Sequence, residues 1–260
     1  MGLIQTERQK IQKSIQISLI FVLIIGIIHL IQVGTGIDFG YLGIHPRHFS
    51  GLIGIFLAPL IHGSFAHLFS NIFPLFLTLS AINYFYPRVS TRSFLMIYFM
   101  TGLAVWLFAR NVYHIGASGI VYGLVSFLFW SGIFRKSLKS VIIALIVIVL
   151  YSGYITGILP NQEGISWESH LIGGLIGIFT AYYFKNELEE DEMEQLAYKN
   201  RSLDSDHSKS PYFNPDVFSI TKIERENMRR EAEREAQRLK ELEDREKDDD
   251  DDVIWFYDIS

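Results

Sequence analysis

Six apolar stretches, at about 15–33, 66–86, 93–109, 116–134, 138–156 and 168–184, constrain this chain more than any other feature. Each is long enough, or nearly so, to cross about 30 Å of hydrocarbon as a helix. They predict an all-α membrane protein, a six-transmembrane-helix bundle. The basic residues before the first stretch give it a superficial likeness to a signal peptide, but its apolar run is too long and no small-residue cleavage site follows, so it reads as the first span.

Charge divides the chain. Residues 1–184 hold 10 Lys/Arg and 4 Asp/Glu, whereas 185–260 hold 13 and 24, giving +6 and −11. The organisation expected is an N-terminal segment 1–14, a membrane domain 15–184 and an acidic tail 185–260. The tail is expected to be partly disordered and partly helical: 186–218 reads as a polar linker and 219–247 as a charged, solvated helix with a narrow apolar stripe, with weak self-association or partner docking as the alternative. Asp248 to Asp252 then precede the apolar end Val253–Ser260, which looks like a docking peptide for a protein partner. Binding of nucleic acid is not expected, because phosphate contacts need a basic surface.

The loops carry an orientation signal. Arg8, Lys10, Lys13, Arg88, Arg92, Arg135, Lys136 and Lys139 fall on one side of the six spans, and only Arg47 and Arg110 on the other. This places both termini in the cytoplasm of a multi-pass protein, an arrangement that suits a bacterial inner membrane. The first external loop, about 34–65, is rich in glycine and apolar residues and is expected in the outer interface of the bilayer or as an ordinary connection.

The second, fourth and sixth spans run inward from the outside, so their first residues lie at one depth. The second opens with His62-Gly63-Ser64-Phe65-Ala66-His67-Leu68-Phe69-Ser70-Asn71, the fourth with Gly116-Ala117-Ser118-Gly119, the sixth with Ser169-His170. His67 and Asn71, at i and i+4, share a helical face. Such residues inside a span are a functional hint, with interhelical hydrogen bonding as the structural alternative. The fourth span carries Gly119 and Gly123 and the sixth Gly173 and Gly177. Two Gly-x-x-x-Gly faces permit close packing that brings His170 within reach of Ser118. Tyr122, one turn below Ser118, could then support the imidazole by stacking.

These residues allow acyl transfer. His170 takes the proton of Ser118, whose oxygen attacks a peptide carbonyl, while the Ser118 amide, His67 and Asn71 offer donors to the oxyanion. No Asp or Glu lies between Asp38 and Glu163, which favours a Ser–His dyad over a triad and removes an aspartyl mechanism. With no cysteine and no His-Glu-x-x-His, thiol catalysis and that zinc-protease motif are absent, and no cofactor or metal is expected.

The set Gly116-Ala117-Ser118-Gly119, His67 with Asn71, and His170 with Gly173 and Gly177 resembles the rhomboid family of intramembrane serine proteases. The resemblance implies Ser118 as nucleophile, His170 as base, Tyr122 stacked on it, and His67, Asn71 and the Ser118 amide as the oxyanion hole. It implies a serine endopeptidase that cuts single-span membrane proteins near the outer face. The alternative is a non-catalytic relative that binds membrane proteins as an adaptor. The chain departs from the family in lacking a Trp-Arg pair in the first external loop, which offers only Arg47, and in having Ser169 before the base. His62 matches a position often occupied by His, for which loop anchoring is as good a role as catalysis. Residues 185–260 have no counterpart in the family core, so a chain cut near residue 190 is expected to keep cleaving.

Overall fold

A computed structural model describes residues 2–135, 138–151, 153, 157–160, 166–194, 196–198, 224 and 226–240. Six long helices form its first compact unit, residues 1–195: α1 Gly2–Thr35, α2 Phe65–Phe85, α3 Ser90–Phe108, α4 Ser118–Arg135, α5 Leu138–Tyr151 and α6 Trp167–Tyr183. Among the described residues, four segments are long and apolar enough to cross a membrane, namely Glu7–Thr35 within α1 and the whole of α2, α3 and α4. The other two, α5 and α6, are apolar but have 14 and 17 residues, about 21 and 26 Å at the helical rise. Helix α1 starts well before Ile15, so the N-terminal segment continues the first helix. Among the described residues there is no strand, and the protein is an all-α membrane bundle.

Helix α4 lies at the centre, packed against α2, α3, α5 and α6. Its Val121, Leu124, Phe127 and Leu128 are almost wholly buried. Small residues make this possible, because in lipid the drive for association is close packing and not exclusion of water. A Cβ on Gly132 would stand 2.4 Å from the Ser140 carbonyl of α5. On its opposite flank Ser126 Oγ donates to the Gly174 carbonyl of α6 at 2.8 Å. Helix α5, by contrast, packs chiefly on α4.

The stretch 34–65 is a series of short helical turns, Gly40–Leu42, Phe49–Ile53, Gly54–Leu57 and Ala58–Leu60. Phe49, Phe56 and Tyr41 are exposed on it, so its outer side is greasy. Arg47, in the left-handed region at φ 60°, donates from Nη1 to the carbonyls of Ala109 (2.7 Å) and Leu107 (3.3 Å) at the end of α3. A guanidinium there also meets the negative end of the helix dipole. Trp106 of α3 donates Nε1–H to the His48 carbonyl at 2.9 Å. The loop thus has its Arg–Trp anchorage, with the tryptophan supplied by a helix that follows it in sequence.

At the other end of the bundle, residues 185–194 are not an open linker. They form a strap whose acids meet the basic residues of the interhelical connections: Glu187 pairs with Arg92, Asp191 with Lys139 at 2.9 Å, and Glu192 with Arg135 at 2.8 Å. Glu189 accepts from the Arg88 amide at 3.1 Å, and Arg88 donates to the Leu188 carbonyl at 3.0 Å. The Arg135 and Glu192 side chains are 1% and 5% exposed, so removing the carboxylate leaves the Arg135 charge buried without its ion pair, held by the Phe184 carbonyl and the Tyr86 ring. Glu192→Ala should therefore destabilise the bundle by about 3 kcal/mol, read as a lowered melting temperature in detergent. A cut near residue 190 removes Asp191 and Glu192 together and should be harmful, contrary to the expectation from sequence, whereas one after 195 should be tolerated.

Residues 196–260 form a second compact unit. Residues 226–240 form an exposed helix with Arg229–Glu233 and Arg230–Glu226 pairs at 3.1 and 3.2 Å. Such i, i+4 pairs each contribute about 0.3 kcal/mol, as suits a solvated helix. Residues 219–223, 225 and 241–247 of the expected charged helix, the linker residues 199–218, Asp248 to Asp252 and the apolar terminus lie outside the described residues.

Candidate active site

Three helix starts meet at one end of the bundle. Ser64 caps α2, its Oγ accepting from the His67 amide at 3.1 Å, so His67 is held in the first turn with Asn71 one turn on. Helix α4 begins at Ser118 after Gly116, whose φ of +101° suits glycine alone, and a Cβ there would stand 2.6 Å from His67 Nε2. Helix α6 begins at Trp167 and presents His170 from its first turn. The register of α6 on α4 is fixed by backbone contact: a Cβ on Gly173 would lie 2.0 Å from the Gly119 carbonyl oxygen, and one on Gly177 2.2 Å from that of Gly123.

Ser118, His170, His67 and Asn71 line one cavity of about 560 Å³, with Ser70 and Arg110 on its wall. Beneath it the His170 ring stacks on Tyr122, centroids 4.2 Å apart and planes 9° from parallel. His170 Nδ1 lies 2.8 Å from the Gly157 carbonyl oxygen. Because a carbonyl can only accept, the proton sits on Nδ1 and the Nε2 lone pair is left free. Asn71 is buried and donates to the His67 carbonyl at 2.7 Å and more loosely to Ser70 Oγ at 3.3 Å. The amides of Ser118 and Gly119, in a helix first turn, have no intrahelical acceptor.

Around the rim runs a second polar group. The backbones of Ile44 and His114 exchange two hydrogen bonds of 2.9 Å, joining the 34–65 stretch to the α3–α4 connection. His114 Nε2 donates to the Arg110 carbonyl at 2.9 Å, so the neutral ring accepts at Nδ1 from Ser166 (2.6 Å), which in turn accepts from Ser169 (2.6 Å). Arg110 and Glu168 form an ion pair of 3.1 Å. That carboxylate, the nearest in sequence to His170, thus turns Oε1 to Arg110.

Burial holds His114 below the usual imidazole pKa of 6.5; the nearby Arg110 and His45 act in the same direction, while its bond to the Arg110 carbonyl and Glu168 oppose them. The unfolded chain takes up this proton near 6.5 and the folded loop only at lower pH, so stability falls as pH drops below 6.5. Amides of 110–116 should exchange faster at pH 5.5 than at 7.5 once intrinsic rates are divided out. Protection independent of pH would remove His114 as the cause.

Of the residues singled out from sequence, Ser118, His170, His67 and Asn71 share the cavity, Tyr122 lies under the base, Gly116 gives room to His67, and Gly119, Gly123, Gly173 and Gly177 are at the α4–α6 contact. His62 is fully buried; its carbonyl accepts from His29 Nδ1 at 3.0 Å and its ring lies 5.0 Å from that of His67. Sequence reasoning missed the Gly157 carbonyl, Arg110 with Glu168, and the His114–Ser166–Ser169 chain. Only Glu168 carried a signal, as an acid opening an apolar helix. Among the described residues no group of three or more His, Asp and Glu is arranged to hold a metal ion.

Comparison with known proteins gives consistent matches. A family model described as Rhomboid domain matches residues 50–187. The chain is 31% identical over 205 residues to Uncharacterized protein Rv1337 of Mycobacterium tuberculosis, an alignment covering 74% of this chain and 82% of the relative. Uncharacterized protein Mb1372 of Mycobacterium bovis matches to the same extent. Uncharacterized protein ML1171 of Mycobacterium leprae is 29% identical over 172 residues, 61% of this chain and 65% of the relative.

Proposed function

The chain belongs to the rhomboid family, and from that premise we propose that it is an intramembrane serine endopeptidase acting through Ser118 and His170. One observation carries the reading: serine and histidine line the same cavity, and the imidazole is fixed by Tyr122 below and the Gly157 carbonyl behind, with Nε2 unencumbered.

Ser118 Oγ attacks the scissile carbonyl carbon as its proton passes to His170 Nε2. The carbonyl π pair moves onto oxygen, which is met by the Ser118 amide, His67 and one N–H of Asn71. That N–H exchanges its loose Ser70 contact for the oxyanion, while the other stays on the His67 carbonyl. Collapse breaks the C–N bond, and Nε2–H gives its proton to the leaving amine. Water from the cavity then repeats the sequence on the acyl-enzyme, restoring Ser118. Substrates are single-span membrane proteins cut near the outer face, and the basic loop pattern supports a bacterial inner-membrane protein with both termini on the cytoplasmic side.

A fluorophosphonate probe tests the reading without a known substrate. Labelling of wild type in mild detergent, lost in both Ser118→Ala and His170→Ala, supports it. Folded wild type that neither labels nor cleaves a single-span protein in liposomes overturns it in favour of the adaptor. For the oxyanion hole, Asn71→Ala should lower kcat about 100-fold with KM and melting temperature little changed. A large loss of stability with normal turnover would assign Asn71 to packing instead.

A further inference from the structure

We infer that the backbone carbonyl of Gly157 is the third member of the catalytic group, the positioning element that takes the place of a carboxylate. This rests on the proteolytic reading of Ser118 and His170. A serine–histidine pair works only while the base keeps its proton on the nitrogen facing away from serine. Free imidazole prefers the opposite tautomer, with the proton on Nε2, and losing the correct one at a comparable site costs about 10⁴-fold in turnover. Something must therefore accept from Nδ1.

Among the described residues no acid accepts from it. The sequence has no Asp or Glu from 39 to 162, and Glu168 pairs through Oε1 with Arg110. The Gly157 oxygen, 2.8 Å from Nδ1, fills the role. It leaves the ring neutral at rest, and its dipole faces the positive charge that develops when Nε2 takes the serine proton. The residue at 157 is glycine for a local reason. A Cβ there would stand 2.1 Å from Tyr122 Oη and 3.2 Å from His170 Nδ1, so a side chain would push the backbone off the ring pair it orients. The connection between α5 and α6 thus supplies a part of the site through its main chain, and the base reads the position of that connection.

The test is a spectrum first and a rate second. With histidine labelled by ¹⁵N in the full chain in liposomes, and the His170 signals identified by their loss in His170→Ala, wild type should show a protonated Nδ1 and a bare Nε2 at neutral pH. Gly157→Ala should shift the population towards protonated Nε2 and lower kcat at least about tenfold with KM unchanged. Gly157→Ala combined with Tyr122→Phe, which removes the oxygen the methyl would strike, should regain part of the loss seen in Gly157→Ala alone. Wild type with protonated Nε2 overturns the inference even if every variant fails to fold. So does a folded Gly157→Ala protein with the wild-type spectrum and kcat. A protein that shows protonated Nδ1 but never labels or cleaves would retain the geometry and instead defeat the proteolytic reading, so the two failures are told apart.

Discussion

Ser118→Ala in the reconstituted protein is expected to abolish cleavage, with a fall in kcat of at least about 10⁴-fold, while the melting temperature stays where it was. The size follows from the chemistry. Without the oxygen there is no acyl-enzyme, and His170 can only assist direct attack by water, which the cavity is not shaped to orient. The unchanged fold follows from the packing. Ser118 is half-buried at the cavity, and its loss leaves the α4 contacts at Val121, Leu124 and Phe127 intact. The measurement is cleavage of a single-span protein in liposomes beside a thermal melt. Residual turnover within tenfold of wild type would end the nucleophile assignment, and a collapsed melt would mean that Ser118 chiefly packs.

The second large effect is on the α4–α6 contact. Gly173→Ala places a methyl carbon 2.0 Å from a backbone oxygen, that of Gly119, where no flexible side chain can yield. The helices must part, at a cost of about 3 kcal/mol or more. The damage extends to chemistry, because this contact sets how near His170 stands to Ser118, and a misplacement of about 1 Å there costs on the order of 100-fold in rate. The neighbouring glycine gives the control. A Cβ on Gly174 meets nothing within 4 Å, so Gly174→Ala should be tolerated and even gain about 0.8 kcal/mol from helix propensity. Melting and cleavage measured on both variants should separate sharply; equal behaviour would show that the closeness of α4 and α6 is not what assembles the site.

Much of this site follows from counting spans. Helices that run the same way start at the same depth, which is why Ser118, His170, His67 and Asn71 meet although up to 103 positions separate them. The glycine spacing on α4 and α6 was equally legible, since a four-residue interval marks one helical face. What could not be read is carried by groups without a side-chain signature, or by pairings that exist only once helix ends converge. The Gly157 carbonyl is of the first kind. Arg110 with Glu168, and Trp106 reaching the loop that holds Arg47, are of the second. The strap escaped for another reason: Glu187, Glu189, Asp191 and Glu192 lie in what reads as a polar linker of the acidic tail, and composition cannot show that each has a partner near the end of a helix.

That strap also has a consequence in time. Arg88, Arg92, Arg135 and Lys139 leave the ribosome before the segment that covers them exists, so none of them has the strap as a partner while its helices are being inserted. When residues 187–192 emerge, Arg92, Arg135 and Lys139 gain carboxylate partners and the Arg88 guanidinium gains the Leu188 carbonyl. The same cations are thus uncovered first and become the seat of the fastening afterwards, once residues 187–192 have been made.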